Sequence, residues 1–196
     1  HWEGIKRVLR YLRGTSGKCL RFERQGGVRL SGFCDSDFAG CVDTRRSTSG
    51  YLFLLGGGAV SWSSKRQPTV VLSSTEAEYV SGSHAAKEAL WLKRFLEDLG
   101  WKQGTVLVQC DNTSALKLMK NPQYHSRTKH IEVQYHFLRE KIEDGELEFR
   151  YIGTDLQCAD FLTKGLGREK HLRFCREVGL VDSTEELKKM ESKFQD

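Results

Sequence analysis

Four carboxylates in short, distinct contexts carry the most specific chemistry in this chain. They are Asp35 in FCDSDFAG, Glu78 in SSTEAEYVSG, Asp111 in VLVQCDNTSAL and Asp160 in LQCADFLTK. Asp35 and Asp111 each end a run that reads as a buried strand, Glu78 lies early in a long helical pattern, and Asp160 opens a short one. Acids gathered at strand ends suit a hard divalent cation, which takes oxygen ligands and keeps several waters. On a basic protein such a site points to a phosphate backbone. Two Mg²⁺ ions about 4 Å apart can activate a water and neutralise charge on the attacking and leaving oxygens of a phosphodiester. Without metal, the crowding should raise at least one carboxylate pKa.

Each acid also has a bland role. Asp35 and Asp111 could be turn or cap residues, and Asp37 in the following turn rivals Asp35. Ser73 with Glu76 fits a capping box that leaves Glu78 to face the sheet edge; the alternative register caps with Thr75 and uses Glu78 as its partner. Asp160 alone is a first-turn acid favoured by the helix dipole.

The elements that must position these groups follow from periodicity. Residues 2–13 place Trp2, Ile5, Val8 or Leu9, and Leu12 on one helical stripe, and Gly14 to Gly17 end it. Val28 to Asp35 reads as a first strand. Tyr51 to Leu55 and Ala59 to Ser63, joined by Gly56-Gly57-Gly58, read as a hairpin completing a meander. A helix from about Ser74 to Leu99 has an apolar face of Leu92, Leu96 and Leu99 with Trp91 and Phe95, stopped by Gly100. Thr105 to Cys110 is a strand buried on both faces, followed by a short helix Ala115–Lys120. A helix from about Lys129 to Glu143, a strand Leu147–Tyr151 and a helix of about Leu156–Thr163 complete the order βββαβα(α)βα. This is an α/β class with a five-stranded mixed sheet and helices on both faces. Trp62, Trp91, Phe95 and Tyr151 are expected in the core. Residues 182–196 are polar, with Ser183 and Glu186 able to cap a weak helix.

Composition fits a soluble globular domain: 196 residues, 38% hydrophobic, 29% charged, two prolines. The formal net charge of +5 is concentrated in residues 1–26, where seven Lys or Arg meet two acids. That arm favours an anionic polymer. The six cysteines form no CxxC and no zinc-finger spacing, and read as reduced thiols. His125, His130 and His136 with Cys110 do not make a zinc pattern, and no GxSxG elbow supports a serine hydrolase. There is no secretory signal and no apolar run of about 18 residues. The chain begins with His1 and reads as a piece of a longer polypeptide.

These residues carry a dense resemblance. DSDFAG, TRRSTSGYLFLLGGGAVSWSSKRQ, LSSTEAEYVSGS, CDNTSAL, HSRTKHIEVQYHFLRE and ADFLTKGL resemble the ribonuclease H domain of copia-type retrotransposon polyproteins. The resemblance covers roughly residues 28–166. Residues 1–22 resemble the link to a preceding reverse transcriptase, and 167–180 the polyprotein's C-terminal end. It implies a ribonuclease H-like fold that cleaves the RNA strand of an RNA–DNA hybrid with two Mg²⁺ ions, Mn²⁺ substituting. It implies Asp35, Glu78, Asp111 and Asp160 as catalytic metal ligands, and prefers Glu78 over Glu76 through Ala77-Glu78-Tyr79. Asp35 and Asp111 would share the ions, Glu78 would hold the one near the leaving group, and Asp160 the one that activates water. The products would be a 5′-phosphate and a 3′-hydroxyl. Many ribonucleases H carry a histidine on the loop before the final helix; the loop here, Gly153-Thr154-Asp155-Leu156-Gln157, has none.

Hybrid duplexes are read through shape, phosphates and 2′-hydroxyls. Donor-rich loops offer Arg46 and Ser47, Ser64 and Lys65, Asn112, and Arg127 and Lys129 as substrate contacts. The resulting organisation is residues 1–26 as a basic link to reverse transcriptase, 27–166 as the nuclease, and 167–196 as a C-terminal helical and polar tail. The expected partners are an RNA–DNA hybrid and the reverse transcriptase of the same polyprotein, without membrane or small-molecule cofactor. The expected setting is intracellular, in a cytoplasmic virus-like particle. Rival functions are DNA strand transfer on the same scaffold, to which integrases usually bring three acids, and a non-catalytic nucleic-acid-binding remnant, which would be expected to have lost an acid.

Overall fold

The computed structural model describes residues 1–23, 28–120 and 129–184, the side chains of 129–135 excepted. In chain order run α1 (Trp2–Thr15), β1 (Lys18–Leu20), β2 (Ser31–Ser36), β3 (Thr48–Leu55), β4 (Gly58–Arg66), α2 (Ser74–Asp98), β5 (Val106–Cys110), α3 (Thr113–Lys120), α4 (Lys129–Glu143) and β6 (Leu147–Tyr151). A 3-10 turn (Thr154–Leu156), α5 (Asp160–Thr163), α6 (Arg168–Glu177) and β7 (Leu180–Asp182) follow. Among the described residues, five strands form one sheet in the order β4-β3-β2-β5-β6, and β1 pairs with β7 in a second small sheet. The mixed sheet is the architecture expected from the sequence.

Local chemistry sets this topology. Gly56 and Gly57 both have positive φ, as a two-residue turn between right-twisted strands requires. The β3–β4 ladder carries a register shift after Phe53 and runs to Arg66, longer than alternation alone marked. Strands β2 and β5 are parallel, so the chain must cross over between them, and α2 is that crossover. Ser73 caps α2 by accepting from Glu76 N, and the Glu76 carboxylate accepts from Leu72 N (2.9 Å).

Alternation along the strands builds a core on each face of the sheet. Cys34 and Phe53 join Tyr79, Ala85, Ala89, Leu92 and Leu96 of α2 on one face. Phe33 and Leu52 join Cys158, Ala159, Phe174 and Val178 on the other. The C-terminal segment thus contributes Phe174 and Val178 to the packing of the sheet, and β7 ties it to Lys18–Leu20.

Four expectations change. The first strand begins at Ser31, because the Gln103 side chain takes Leu30 N and Val28 O out of the ladder. The single helix expected over 156–163 splits, because Gln157 turns extended and buries its amide against Cys34 O (3.0 Å). The pairing of β1 with β7 was not foreseen, since two three-residue strands carry no period. The aromatics Trp62, Trp91, Phe95 and Tyr151, expected in the core, are 58%, 58%, 47% and 56% exposed. In α2 the core face is filled by small residues and leucines, which leaves Trp91 and Phe95 to stack on each other outside, 5.5 Å between centroids. Leu99 is also exposed. Helix α1 forms as expected but buries none of its residues.

Candidate active site

Asp35 is the fifth residue of β2 and sits on the Phe33 face of the sheet. Its neighbour across the ladder is Gly50. A Cβ at Gly50 would lie 2.7 Å from Thr163 Cγ2 and 3.0 Å from Leu162 Cβ. Glycine there lets α5 close onto β3, which brings Asp160, Thr163 and Lys164 over Asp35. On the opposite face Ser81 Oγ, fully buried, donates to Asp35 O (2.7 Å) and Gly50 O (3.2 Å). That bond fixes the register of α2, so Glu78, one turn earlier, lies at the strand end and accepts from Ser36 N. Asp111 follows the last residue of β5, parallel to β2 and beside it. Asn112 Oδ1 caps α3 by accepting from Ala115 N (2.9 Å).

The four acids therefore reach one edge from a central strand, a helix N-terminal turn, a neighbouring strand end and a short helix. Carboxylate oxygens of Asp35, Asp111 and Asp160 lie within 4.8 Å of one another. Glu78 and Asp111 form a second such group with the Cys110 thiol. Asp111 is common to both groups. Asp35, Glu78 and Asp160 are buried, and Asp111 is half-buried.

Hydroxyls and ammonium groups hold these carboxylates. Thr154 Oγ1 donates to Asp111 Oδ2 (2.8 Å), and Thr163 Oγ1 donates to Asp35 Oδ2. Lys164 Nζ lies 3.3 Å from Asp35 Oδ1 and 3.0 Å from Asp160 Oδ1. Lys170 Nζ, from α6, donates to Asp160 Oδ2 (2.8 Å) and to Thr154 O (3.1 Å). None of Thr154, Thr163, Lys164 or Lys170 stood out in the sequence. Lys164 alone had a local signal, four residues after Asp160 on one helical face.

Burial pushes the Asp35 carboxyl up to about 6; Asp160 and Asp111 add to that, while Thr163 and Lys164 oppose it. Burial pushes Glu78 up to about 10, with Cys110, Asp35 and Asp111 adding. Crowding was expected to raise a carboxylate here, and desolvation proves the larger cause. Burial works to lower Lys164, but Asp35 and Asp160 outweigh it and hold the ammonium above its ordinary range.

The other sequence candidates separate. Ser47 is fully buried and its Oγ accepts from Ala39 N (3.0 Å), so its hydroxyl serves the loop rather than a substrate. Ser64 Oγ donates to Leu162 O (2.5 Å), a tie between β4 and α5. Arg46 and Lys65 are exposed. His125 and Arg127 lie outside the described residues, as do the side chains of Lys129 and His130. Asp37, the rival to Asp35, belongs to neither group and accepts from Thr48 N.

The Asp35, Asp111 and Asp160 group offers only carboxylate oxygens and fits a hard divalent cation better than zinc, while Glu78 meets Asp111 beside the Cys110 thiol. The six cysteines are free thiols, three of them buried. Among the described residues no helix is long and apolar enough to cross a membrane.

Comparison with known proteins agrees with this geometry. No protein-family model matches the chain. It is 49% identical over 178 residues to the retrovirus-related Pol polyprotein from transposon TNT 1-94 of Nicotiana tabacum, which covers 91% of this chain and 13% of that protein. It is 41% identical over 182 residues to the Pol polyprotein from transposon RE2 of Arabidopsis thaliana, covering 92% of this chain and 12% of that one. The chain thus spans about an eighth of the length of these curated relatives. Among solved structures it is similar to the N-terminal RNase H domain of rv2228c from Mycobacterium tuberculosis, solved as a fusion with maltose binding protein. The TM-score is 0.52 at 11% identity, over 76% of this chain and 98% of that one.

Proposed function

Because the chain is homologous to a segment of copia-type retrotransposon Pol polyproteins and carries the ribonuclease H-like fold, we propose that it is a metal-dependent endonuclease that hydrolyses the RNA strand of RNA–DNA hybrids. The observation that supports this reading most directly is the meeting of Asp35, Asp111 and Asp160 within 4.8 Å, with Glu78 joined through Asp111. Asp35, Asp111 and Asp160 are 49 to 125 positions apart and have no local reason to share one edge, and buried carboxylates carry a desolvation cost that bound cations would offset.

In this reading Asp35, Glu78, Asp111 and Asp160 hold two Mg²⁺ ions, with Asp111 common to both groups. When bound, the ions supply an activated water and neutralise charge at the leaving oxygen. The chain's own groups orient that set. Thr154 fixes the Asp111 carboxylate, Thr163 fixes Asp35, and Lys170 fixes Asp160. Asn112 uses its carbonyl as a helix cap, which leaves the NH₂ as donor to a sugar or phosphate oxygen. Arg46 and Lys65 would meet the backbone as exposed cations, and Arg127 and Lys129 remain candidates from their donor-rich sequence context. Residues 27–166 form the nuclease body, 1–26 the link to a reverse transcriptase in the same polyprotein, and 167–196 a tail whose helix braces the site. The setting would be an intracellular particle.

The test is degradation of a labelled RNA strand annealed to DNA. Wild type should cut it with Mg²⁺, leave duplex DNA intact, and stop when the metal is chelated. Asp111→Asn should bind the hybrid and cleave it at least about a hundredfold more slowly. Equal binding by both proteins with cleavage by neither would overturn the enzyme reading, and cutting of duplex DNA would favour strand transfer.

A further inference from the structure

A second concavity lies on the α2 face of the sheet, between α2 and strands β3 and β4, with a volume of about 350 Å³. The ladder places its lining. Ser49 and Tyr51 of β3 pair with Lys65 and Ser63 of β4, and alternate residues share a face. His84, Lys87 and Glu88 of α2 close the other side. None of these residues touches the four carboxylates in any contact the structure gives.

The groups inside are unequal in their commitments. Glu88 is engaged at both oxygens, by Ser61 Oγ (2.6 Å) and Tyr51 OH (3.4 Å). Among the described residues, Lys65 and Lys87 have no carboxylate ion-pair partner and His84 has no hydrogen bond. The cavity is therefore lined by two lysines without a carboxylate partner, an imidazole, and the Ser63 hydroxyl bonded to Tyr51, around one pinned carboxylate; the Lys87 ammonium also lies 6.0 Å over the Phe137 ring. That donor set suits a tetrahedral oxyanion.

Its position relates it to the proposed catalytic edge. Ser36, next to Asp35, is opposite Ser49, and Ser49 is opposite Lys65. The mouth is thus level with the strand end that carries Asp35 and two strands to the side, roughly 10 Å at ordinary strand spacing. His84 is six residues along α2 from Glu78, a rise of about 9 Å. A nucleic acid strand with one phosphate at the carboxylates would have another phosphate, a few nucleotides along, within reach of this cavity.

We propose that the concavity lined by Lys65, His84, Lys87 and Ser63 is a phosphate subsite that holds a backbone phosphate of the hybrid away from the scissile bond. The inference rests on the ribonuclease reading for its ligand. The electrostatics support it. Burial holds the His84 imidazole below its ordinary pKa, and Lys87 and Lys65 depress it further. An anion between the lysines would reverse those two contributions, while Glu88 and Tyr51, already bonded to each other, would change little.

The test uses the 196-residue chain with Mg²⁺ chelated, so that hybrid is bound but not cut. The His84 ring pKa, read by NMR, should rise when RNA–DNA hybrid is added. Lys87→Gln, at an exposed position of α2, and His84→Gln, at a half-buried one, should weaken hybrid binding about three- to tenfold. Lys87→Gln should also reduce the slope of log affinity against log salt by about 1. Lys102→Gln, of equal charge change but before β5 at the end of the strands opposite Asp35, should leave that slope unchanged. With Mg²⁺ restored, Lys87→Gln should raise KM and leave kcat as in wild type. A His84 pKa unmoved by hybrid overturns the proposal; if inorganic phosphate alone moves it, the cavity is a free-phosphate site. A wild type that binds hybrid with the His84 shift but never cleaves it overturns the ribonuclease reading and leaves the subsite standing.

Discussion

Lys164 places its ammonium 3.3 Å from Asp35 Oδ1 at the end of α5, so a buried acid of the central strand is matched by a cation from the chain itself. The same nitrogen lies 3.0 Å from Asp160 Oδ1. In the metal-free protein this cation stabilises oxygens that divalent ions would otherwise neutralise. Removing one member of a buried pair is strongly destabilising, but Lys164 is 39% exposed, which discounts the effect. Lys164→Met should lower stability by about 1–2 kcal/mol with metal chelated, a Tm drop of roughly 3–8 °C. Excess Mg²⁺ should narrow that gap. Thermal denaturation with and without chelator checks it, and an equal drop in both conditions would mean the lysine and the ions do not share a site.

The raised Asp35 pKa gives metal-free stability a defined pH dependence. The folded state binds this proton more tightly than the unfolded state does, with a pKa of about 6 against 3.8. Stability is therefore highest below the unfolded value and falls as pH rises through 6, on the order of 3 kcal/mol for a shift of about two units. Glu78, pushed up to about 10, extends the fall to higher pH. Asp35→Asn should stabilise the chelated protein at pH 7, flatten the pH 4–6 portion of the curve and abolish cleavage. Urea unfolding at several pH values measures this, and stability rising from pH 4 to 6 would contradict it.

How much of this was legible depends on the range of the contacts. Asp35 and Asp111 end alternating runs, and the Gly56-Gly57 turn marks the hairpin, so the sheet and two of its acids could be read from neighbours in sequence. Glu76 and Glu78 differ only through helix register, which Ser81 sets by bonding to Asp35 O, 46 residues away. Gln157, bonded to Cys34 O across 123 residues, broke a helix that periodicity had continued. Lys170 reaches the site from a helix whose own pattern gives no hint of it. The four exposed aromatics were misplaced because hydrophobicity says that a ring prefers burial, not that small residues already fill the facing surface.

Gly50 links the meander to the site through space rather than chemistry. An added Cβ would meet Thr163 Cγ2 and Leu162 Cβ, both on a short helix braced by Ser64, so α5 would have to shift. Gly50→Ala should cost about 1–3 kcal/mol and lower cleavage at least tenfold, since Asp160 moves with α5. Gly82→Ala is the comparison. Its Cβ would meet Met119 Cε at 2.5 Å, the flexible end of a side chain remote from α5. That variant should keep most activity at a smaller stability cost. Similar losses in the two would detach the site from the position of α5.

Phe174 joins the C-terminal helix to the catalytic edge. It is fully buried beside Phe33, Leu52 and Cys158, and Lys170 Nζ lies 5.3 Å above its ring while bonded to Asp160. Truncating the ring removes a core filler and the surface that carries the lysine stem. Phe174→Ala should destabilise by about 3–5 kcal/mol with an unchanged denaturant slope. Lys170→Met should leave the core intact and loosen only Asp160 and the 154–156 turn, seen as faster amide exchange there. A chain ending at residue 166 should lose at least as much stability as Phe174→Ala, because Phe33, Leu52 and Ala59 lose Phe174 and Val178 together. Full stability in that shortened chain would show that residues 27–166 fold without the helix and that the brace on Asp160 is dispensable.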